Sequence, residues 1–279
     1  MTAKQSPYTA SSQALQAQHD NSPMTLVKRN QVFLESRADK IARWVTQGVR
    51  PEALIRFVLM EMQTNNALAS CTQESIYLGL LACAVTGLEP GALKGEAFLI
   101  PYGKVATFVP GWKGLVKQAR RSRDIVGLTA NVVRQGDVFD VDIGTANSIV
   151  HKPTFGERGD VIAAYAIATM ASGHREIEVM DRSDLDRIKR VSGGRSPAWK
   201  DWEDMMQRKS AIRRLCKRLP LGADYFVALA LEQAHDEGRD QRAVLDAVGE
   251  EKVQAEPLAP SMELTDEDKA AIAADEAKS

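Results

Sequence analysis

The chain has 279 residues and a formal net charge of −1, from 36 Lys and Arg against 37 Asp and Glu, and 44% of it is hydrophobic. That is enough apolar material for one large domain or two small ones with a buried core. No apolar run approaches the roughly 20 residues of a membrane helix, and the opening MTAKQSPYTASSQALQAQHD lacks the apolar stretch of a secretory leader. The expectation is therefore a soluble intracellular protein. Cys71, Cys83 and Cys216 form no CxxC pair and have no histidine at ligand spacing, so they are expected to be reduced core thiols rather than a metal site.

The charges are unevenly placed. From Glu232 to Ser279 there are 14 acidic residues and 5 Lys or Arg, a balance of −9, which leaves residues 1–231 with 31 basic and 23 acidic residues, a balance of +8. A basic body with an acidic end is compatible with a polyanionic ligand. The acidic end either solvates the protein or competes with that ligand and recruits partners.

In chain order, residues 1–23 are rich in Ser, Gln, Ala and Thr without apolar periodicity and are expected to be disordered. A folded domain is expected over 24–236, and 237–279 as an acidic, mostly disordered tail. Helices are predicted for Phe33 to Thr46, for PEALIRFVLMEMQ with Pro51 in its first turn, and for QESIYLGLLACAVTG after an N-cap at Thr72. These make an N-terminal helical layer. EAFLIPYGKVATFV alternates as a hairpin turned at Tyr102 to Lys104, and GLTANVVRQ and VFDVD read as strands. VIAAYAIATM and REIEVM form a second hairpin around Ser172 and Gly173. Helices return with SDLDRIKRV, opened by a capping box from Ser183 to Asp186, and with one long helix from about Pro197 to Leu219, ended by Pro220 and Gly222.

Two helices concentrate positive charge. In PGWKGLVKQARRSR, predicted to begin near Pro110, Trp112, Leu115, Val116 and Ala119 form an apolar stripe, while Lys113, Lys117, Arg120 and Arg121 share another face. In AWKDWEDMMQRKSAIRRLCKRLP, Trp202, Met205, Met206, Ile212, Leu215, Cys216 and Leu219 define a core side. Lys209, Arg213 and Lys217 form one row of cations at its border, and Arg214 and Arg218 a second. Like charges at i and i+4 repel by a few tenths of a kcal/mol per pair, and a polyanion relieves them. A solvated basic face is the plainer alternative, but such faces intersperse both signs and this one has no acidic residue from Gln207 to Leu219. Arg213 has a second reading, as a structural partner of Glu203, Asp204 or a distant carboxylate.

Single-strand binders combine a cationic groove with rings that accept any base, and here Tyr102 at the hairpin tip and Trp199 beside Lys200 are the stacking candidates. Trp112 and Trp202 fall on apolar stripes and are expected in the core. No GxxxxGK[ST] is present to cradle ATP, and His19, His151, His174 and His235 form no motif. The E-x-K matches at Glu250 to Lys252 and Glu267 to Lys269, a pattern a metal-dependent nuclease could use, lie in the expected tail. Asp181, Asp184 and Asp186 are best explained as helix-start carboxylates.

Four segments, in order and spanning about residues 50 to 222, resemble the RecT family of phage single-strand DNA annealing proteins. LLACAVTGLEPGALKGEAFLIPYG is similar to its Gly-Leu-Glu-Pro turn feeding a hairpin, and VPGWKGLVKQARRS to its Gly-aromatic-basic-Gly helix start. VVRQGDVFDVDIG resembles its Val-Arg-x-Gly-Asp segment, and SPAWKDWEDMMQRKSAIRRLCKRLP its Ser-Pro-x-Trp through Leu-Pro segment. The loop between Lys104 and Val105 is shorter than in some members. The resemblance implies an α+β fold, a compact antiparallel sheet packed with helices and similar to the core of eukaryotic strand-annealing mediators, holding DNA in an outward groove. It implies ATP-independent annealing and strand exchange without enzymatic catalysis, in the cytoplasm of a bacterial host. Neither cofactor nor bound metal is expected, with magnesium serving at most as a DNA counterion.

The implied partners are single-stranded DNA, the annealed duplex intermediate, further copies in a ring or helical filament, a phage 5′–3′ exonuclease and the host single-strand binding protein. The DNA contacts are assigned to Lys113, Lys117, Arg121, Lys209, Arg213, Arg214 and Lys217, with Lys104, Arg134 and Lys200 in addition. The alternatives are a metal-dependent phage nuclease of the same recombination system, and an RNA-binding or assembly protein.

Overall fold

Ser22 and Pro23 start the first helix: the Ser22 hydroxyl accepts the Thr25 N–H at 3.2 Å, and proline tolerates the first turn because its missing donor is not needed there. The computed structural model describes residues 22–46, 49–144, 146–191 and 197–249. It divides into one unit of residues up to 92, 98–109 and from 240, and a second unit of 93–97 and 110–239.

The first unit is the helical layer. Helix α1 (Pro23–Glu35) begins ahead of the first predicted helix, and the segment predicted as one helix from Phe33 to Thr46 instead ends α1 and forms the short α2 (Ala38–Ala42). Helix α3 (Pro51–Thr64) buries Leu54, Ile55, Val58 and Met62 on one stripe. Asn65 caps the single turn α4 (Asn66–Ala69), and the buried Asn30 of α1 donates to the Ala69 carbonyl at 3.0 Å. Helix α5 (Gln73–Thr86) is capped by Thr72 as predicted, is apolar on nearly every side, and ends at Gly87. There φ is +65°, and the Leu88 N–H returns to the Cys83 carbonyl, a left-handed end that glycine adopts without strain.

The hairpin of β1 (Ala97–Tyr102) and β2 (Val105–Pro110) turns at Gly103, with φ +61°. It lies against α5: the Ser75 hydroxyl accepts the Ala106 N–H at 3.0 Å, and Thr72 N–H donates to the Lys104 carbonyl at 2.9 Å. A Cβ at Gly79 of α5 would come within 2.7 Å of Leu99, which explains why this turn of the helix carries none.

Helix α11 (Arg242–Val248) also belongs to this unit, although residues 237–279 were expected to be mostly a disordered tail. Leu245 is fully buried, Arg242 pairs with Glu74, and Gln241 binds both backbone groups of Phe108, accepting at 3.0 Å and donating at 2.8 Å. The folded chain thus runs past 236 and closes on the edge of the hairpin.

In the second unit β3 (Ile125–Arg134), β6 (Val161–Met170) and β7 (Arg175–Asp181) form an antiparallel sheet in the order β3-β6-β7. The period of two in VIAAYAIATM sorts its faces. Ala164, Ala166 and Ala168 lie under helices α6 (Trp112–Ala119) and α9 (Glu203–Cys216), in one core with Leu115, Leu128, Ile212 and Leu215. These small side chains let α9 approach the sheet closely. Ala163 and Tyr165 face the other way, toward a ribbon of β4 (Val138–Asp142) and β5 (Ser148–Lys152), the latter unforeseen in the sequence. Phe139 stacks on Tyr165 with centroids 5.7 Å apart, and His151 bridges the Tyr165 hydroxyl and the Asp137 carboxylate, at 3.1 Å from each.

Helix α7 (Arg182–Val191) follows β7 directly. Its cap is Asp181, not Ser183: the Asp181 carboxylate accepts the Ser183 hydroxyl at 2.7 Å and the Asp184 N–H at 2.8 Å. The bonds, from Ser183 first, hold its carboxyl below the usual range. The long helix predicted from Pro197 to Leu219 is interrupted at Trp202, with φ −135° and ψ 40°, which separates α8 (Pro197–Asp201) from α9. Helix α10 (Ala223–Asp236) completes the unit.

Replacing Gln241 by Ala leaves the Phe108 N–H and C=O without their side-chain partner, and the unfolding free energy should fall by about 1–3 kcal/mol. Denaturant melts check this. An unchanged midpoint would show that α11 is not part of the folded unit.

Candidate nucleic-acid interface

The apolar stripe of α9 docks on the sheet, and the direction of each cation on this helix follows from that. Lys209 points inward: it is only 5% exposed, and its ammonium lies 2.5 Å from the carboxylate of Glu232 on α10, itself buried. A phosphate cannot reach Lys209 while this pair is intact. Arg213, one turn on, faces the same Glu232 at 3.3 Å and Asp236 at 3.8 Å, so the structure places it against distant carboxylates. Burial, with the charge of Glu232, raises the Asp236 carboxyl above its usual range. Lys217, at the end of the row, is exposed and has no carboxylate partner among the described residues. The row of three therefore splits by depth.

The second row is held from the sheet and from α7. Arg214 donates to Glu178 of β7 at 2.7 Å and to Asp184 at 2.6 Å, and Arg218 reaches the other Glu178 oxygen at 3.1 Å. Glu178 projects from the helix-facing side of β7, opposite Ala166 in register. Both guanidinium groups remain about half exposed, at 42% and 51% of their side chains, so they present charge while their direction is fixed.

Helix α6 repeats the pattern. Lys117 pairs with Glu96 at 2.5 Å, and Arg121 with Asp224 at the start of α10 at 2.7 Å. Lys113 and Arg120 are exposed with no carboxylate partner among the described residues, as is Arg123 after the helix. Arg134, at the end of β3, makes two bonds to Asp204, at 2.9 and 2.7 Å, and a third to the Gly159 carbonyl. Lys200 on α8 is exposed, and Lys104 is exposed at the hairpin tip of the other unit. The predicted residues thus separate into exposed cations and cations clamped by carboxylates. Arg120 and Arg123 join the first group, and the signal for them was already in the acid-free stretch after Lys104.

The aromatic assignments change as well. Trp199 is 3% exposed and belongs to the core, whereas Trp202 is 60% exposed and Met205 is exposed beside it. The break at Trp202 resets the helical phase, so the stripe extrapolated through Pro197–Leu219 is out of register at its start. Tyr102 is exposed at the hairpin tip, and Trp112 packs partly buried on the core. The three cysteines are buried, and burial pushes the Cys216 thiol up to about 11. The aspartates that could have suggested a metal are occupied: Asp181 caps α7, Asp184 pairs with Arg187 and Arg214, and Asp186 pairs with Arg182. Glu250 and Glu267 lie outside the described residues.

A three-stranded antiparallel sheet, backed by helices that carry exposed cations and whose inner cations are neutralised, has the character of a nucleic-acid-binding module. Comparison with known proteins gives the particular kind. The RecT family model matches residues 52–245, and the protein named Protein RecT of Escherichia coli (strain K12) is 32% identical over 208 residues, covering 71% of this chain and 77% of that one. The chain belongs to the RecT family, and with it to the single-strand annealing proteins of DNA recombination. Nothing in these comparisons supports the nuclease alternative. No helix among the described residues is long and apolar enough to cross a membrane.

Removing one member of a buried ion pair costs about 3–5 kcal/mol, so Lys209→Ala should lower the denaturant midpoint sharply. Lys217→Ala should leave stability within about 0.5 kcal/mol and make the dependence of log affinity on log salt shallower by about 0.7. Equal stability losses in the two variants would show that the depth of burial does not separate their roles.

Proposed function

We propose that this protein binds single-stranded DNA and anneals complementary strands without ATP and without breaking bonds. The observation that carries the reading is the division of its cations by depth. Carboxylates on β7, α7 and α10 hold the inner ones, and Lys113, Arg120 and Lys217 remain exposed and unpaired. Phosphate contacts from these are sequence-neutral, as annealing of any complementary pair requires. Arg214 and Arg218, oriented by Glu178, add half-exposed guanidinium groups, and Lys200 extends the set beside Trp202, whose exposed ring suits a base better than Trp199. Lys104, in the other unit, is a separate contact. Lys117, Arg121, Arg134 and Arg213 hold the helices in place and contribute long-range field.

Bases left unread remain available for a second strand, and a protomer that covers few nucleotides gains affinity by assembling with others along the strand in a ring or filament. The setting is the cytoplasm of a bacterial host, alongside a 5′–3′ exonuclease that exposes single strands and the host single-strand binding protein. Magnesium acts as a counterion of DNA. The absence of a phosphate-loop motif supports the independence from ATP.

Labelled complementary oligonucleotides should anneal at the same rate with ATP, with its analogues and without nucleotide, and labelled DNA incubated with magnesium should keep its length. A nucleotide-dependent rate, or shortened DNA, would overturn the proposal.

A further inference from the structure

The segment from Gln135 to Asp160 differs in charge from the rest of its unit. It carries five acidic residues against two basic ones, a balance of −3, while the remaining residues of the unit carry 21 basic against 14 acidic, a balance of +7. It is also unusually apolar at its surface. One face of the β4–β5 ribbon packs on Tyr165, and the opposite face exposes Val138 and Val150, at 58% and 46%. Phe155, in the loop that follows, is 98% exposed.

This loop is held in place. The Asp137 side chain is fully covered and gathers four groups: the Arg158 guanidinium, His151 Nε2 at 3.1 Å, the Arg134 N–H at 2.9 Å and the Thr154 N–H at 3.0 Å. The bond from Arg158, above all, holds its carboxyl well below the ordinary carboxylate range. Gly136 N–H donates to the Arg158 carbonyl at 2.9 Å and Gln135 N–H to the Asp160 carbonyl at 3.0 Å, which closes the loop at its base. Phe155 thus sits between two anchored residues, Thr154 and Arg158, with its ring in water. A pre-positioned aromatic side chain loses little conformational freedom when a partner covers it, and this is the character of an interface anchor.

Charge decides what the partner is. Asp140, Glu157 and Asp160 are exposed around the apolar residues and repel phosphates, so DNA is the wrong occupant. A basic surface with an apolar centre is the right one, and the same unit carries it at the other end of its sheet. The Phe155 loop leads from β5 into the start of β6, which pairs with the end of β3, whereas exposed Val126 lies at the start of β3, with Arg123 and the exposed Asp124 just before it and Arg175 at the start of β7. Neither arginine has a carboxylate partner among the described residues. With 10 residues in β3, at about 3.3 Å each, the two ends are about 30 Å apart. An acidic apolar end and a basic apolar end on one molecule satisfy each other only between copies, head to tail, and such heterologous contacts propagate into rings or filaments.

We propose that the Phe155 loop and the outer face of the β4–β5 ribbon dock on the Val126, Arg123 and Arg175 end of a second copy of this chain. The proposal rests on the reading of the protein as one that assembles along DNA, and supplies the surface for that assembly.

The test uses the full chain and measures self-association by sedimentation velocity across protein concentration, with a parallel titration of an oligo(dT) short enough for one protomer. Burying a phenylalanine is worth about 1.5–3 kcal/mol, so Phe155→Asp should weaken self-association about 10- to 100-fold. Its melting temperature and short-oligonucleotide affinity should stay unchanged, because the ring has no intramolecular packing to lose. Arg123→Glu with Arg175→Glu should weaken association likewise, and mixing that variant with one carrying Glu157→Lys and Asp160→Lys should restore a contact between the two. Unchanged association of the Phe155→Asp chain, or a wild-type chain that stays monomeric, overturns the proposal. Loss of short-oligonucleotide binding with association intact also overturns it, by making the loop a nucleic-acid contact. A wild-type chain that assembles but binds no oligo(dT) refutes the DNA-binding function alone, and the docking surface is still scored by sedimentation.

Discussion

The buried contact between Lys209 and Glu232 governs how the rest of the second unit presents its charge. A lone ammonium or carboxylate at that depth would be costly, so α9 and α10 must stay in the one arrangement that brings the two together. The rotation of α9 that buries Lys209 also lays Ile212, Leu215 and Cys216 on the alanines of β6, and leaves Arg214, Lys217 and Arg218 at the surface. A segment that carries six basic residues from Arg208 to Arg218, on α9 and the turn that ends it, is thereby given an inside and an outside.

The same device recurs with other partners. Glu178 on the sheet aims Arg214 and Arg218, Asp224 holds Arg121, and Glu96 holds Lys117. Each carboxylate fixes the direction of a cation and holds its helix in place. Under the proposed function, a rigid scaffold with a modest number of free charges would hold any sequence in a way that a growing duplex can displace. The proposed docking surface follows the same logic at larger scale, since the acidic sign of the segment around the β4–β5 ribbon disfavours phosphates there.

Local features were legible in the sequence because they depend on neighbours in the chain. Thr72 as a cap, both hairpin turns and the apolar stripe of α6 were read from spacing, whereas the Gly-Leu-Glu-Pro end of α5 and the α+β class came with the family resemblance. What failed depended on residues far apart. Glu232 and Asp236 were counted with an acidic tail, but α10 returns them to the basic helix, so the lack of acids between Gln207 and Leu219 said nothing about pairing. Trp199 and Trp202 exchanged places because one helical phase was carried across a break that no glycine or proline marks. Strand β5, in the sequence SIVHK, alternates too weakly to stand out, and α11 is short and borrows its stability from Gln241 and Leu245. Nothing in the local sequence singles out Phe155, because the anchors of its loop on Asp137 come from residues 17 and 21 positions away.

The central claim is that the exposed cations of a protomer, and not those turned inward onto carboxylates, meet phosphates. The slope of log affinity against log salt, measured with an oligo(dT) that fits one protomer, counts them directly. Lys104, Lys113, Arg120, Lys200, Arg214, Lys217 and Arg218, at about 0.7 each, give a slope near −5. A slope near −7 would mean that all ten of the residues first assigned to DNA are engaged, ion pairs included, and would contradict the division of cations by depth.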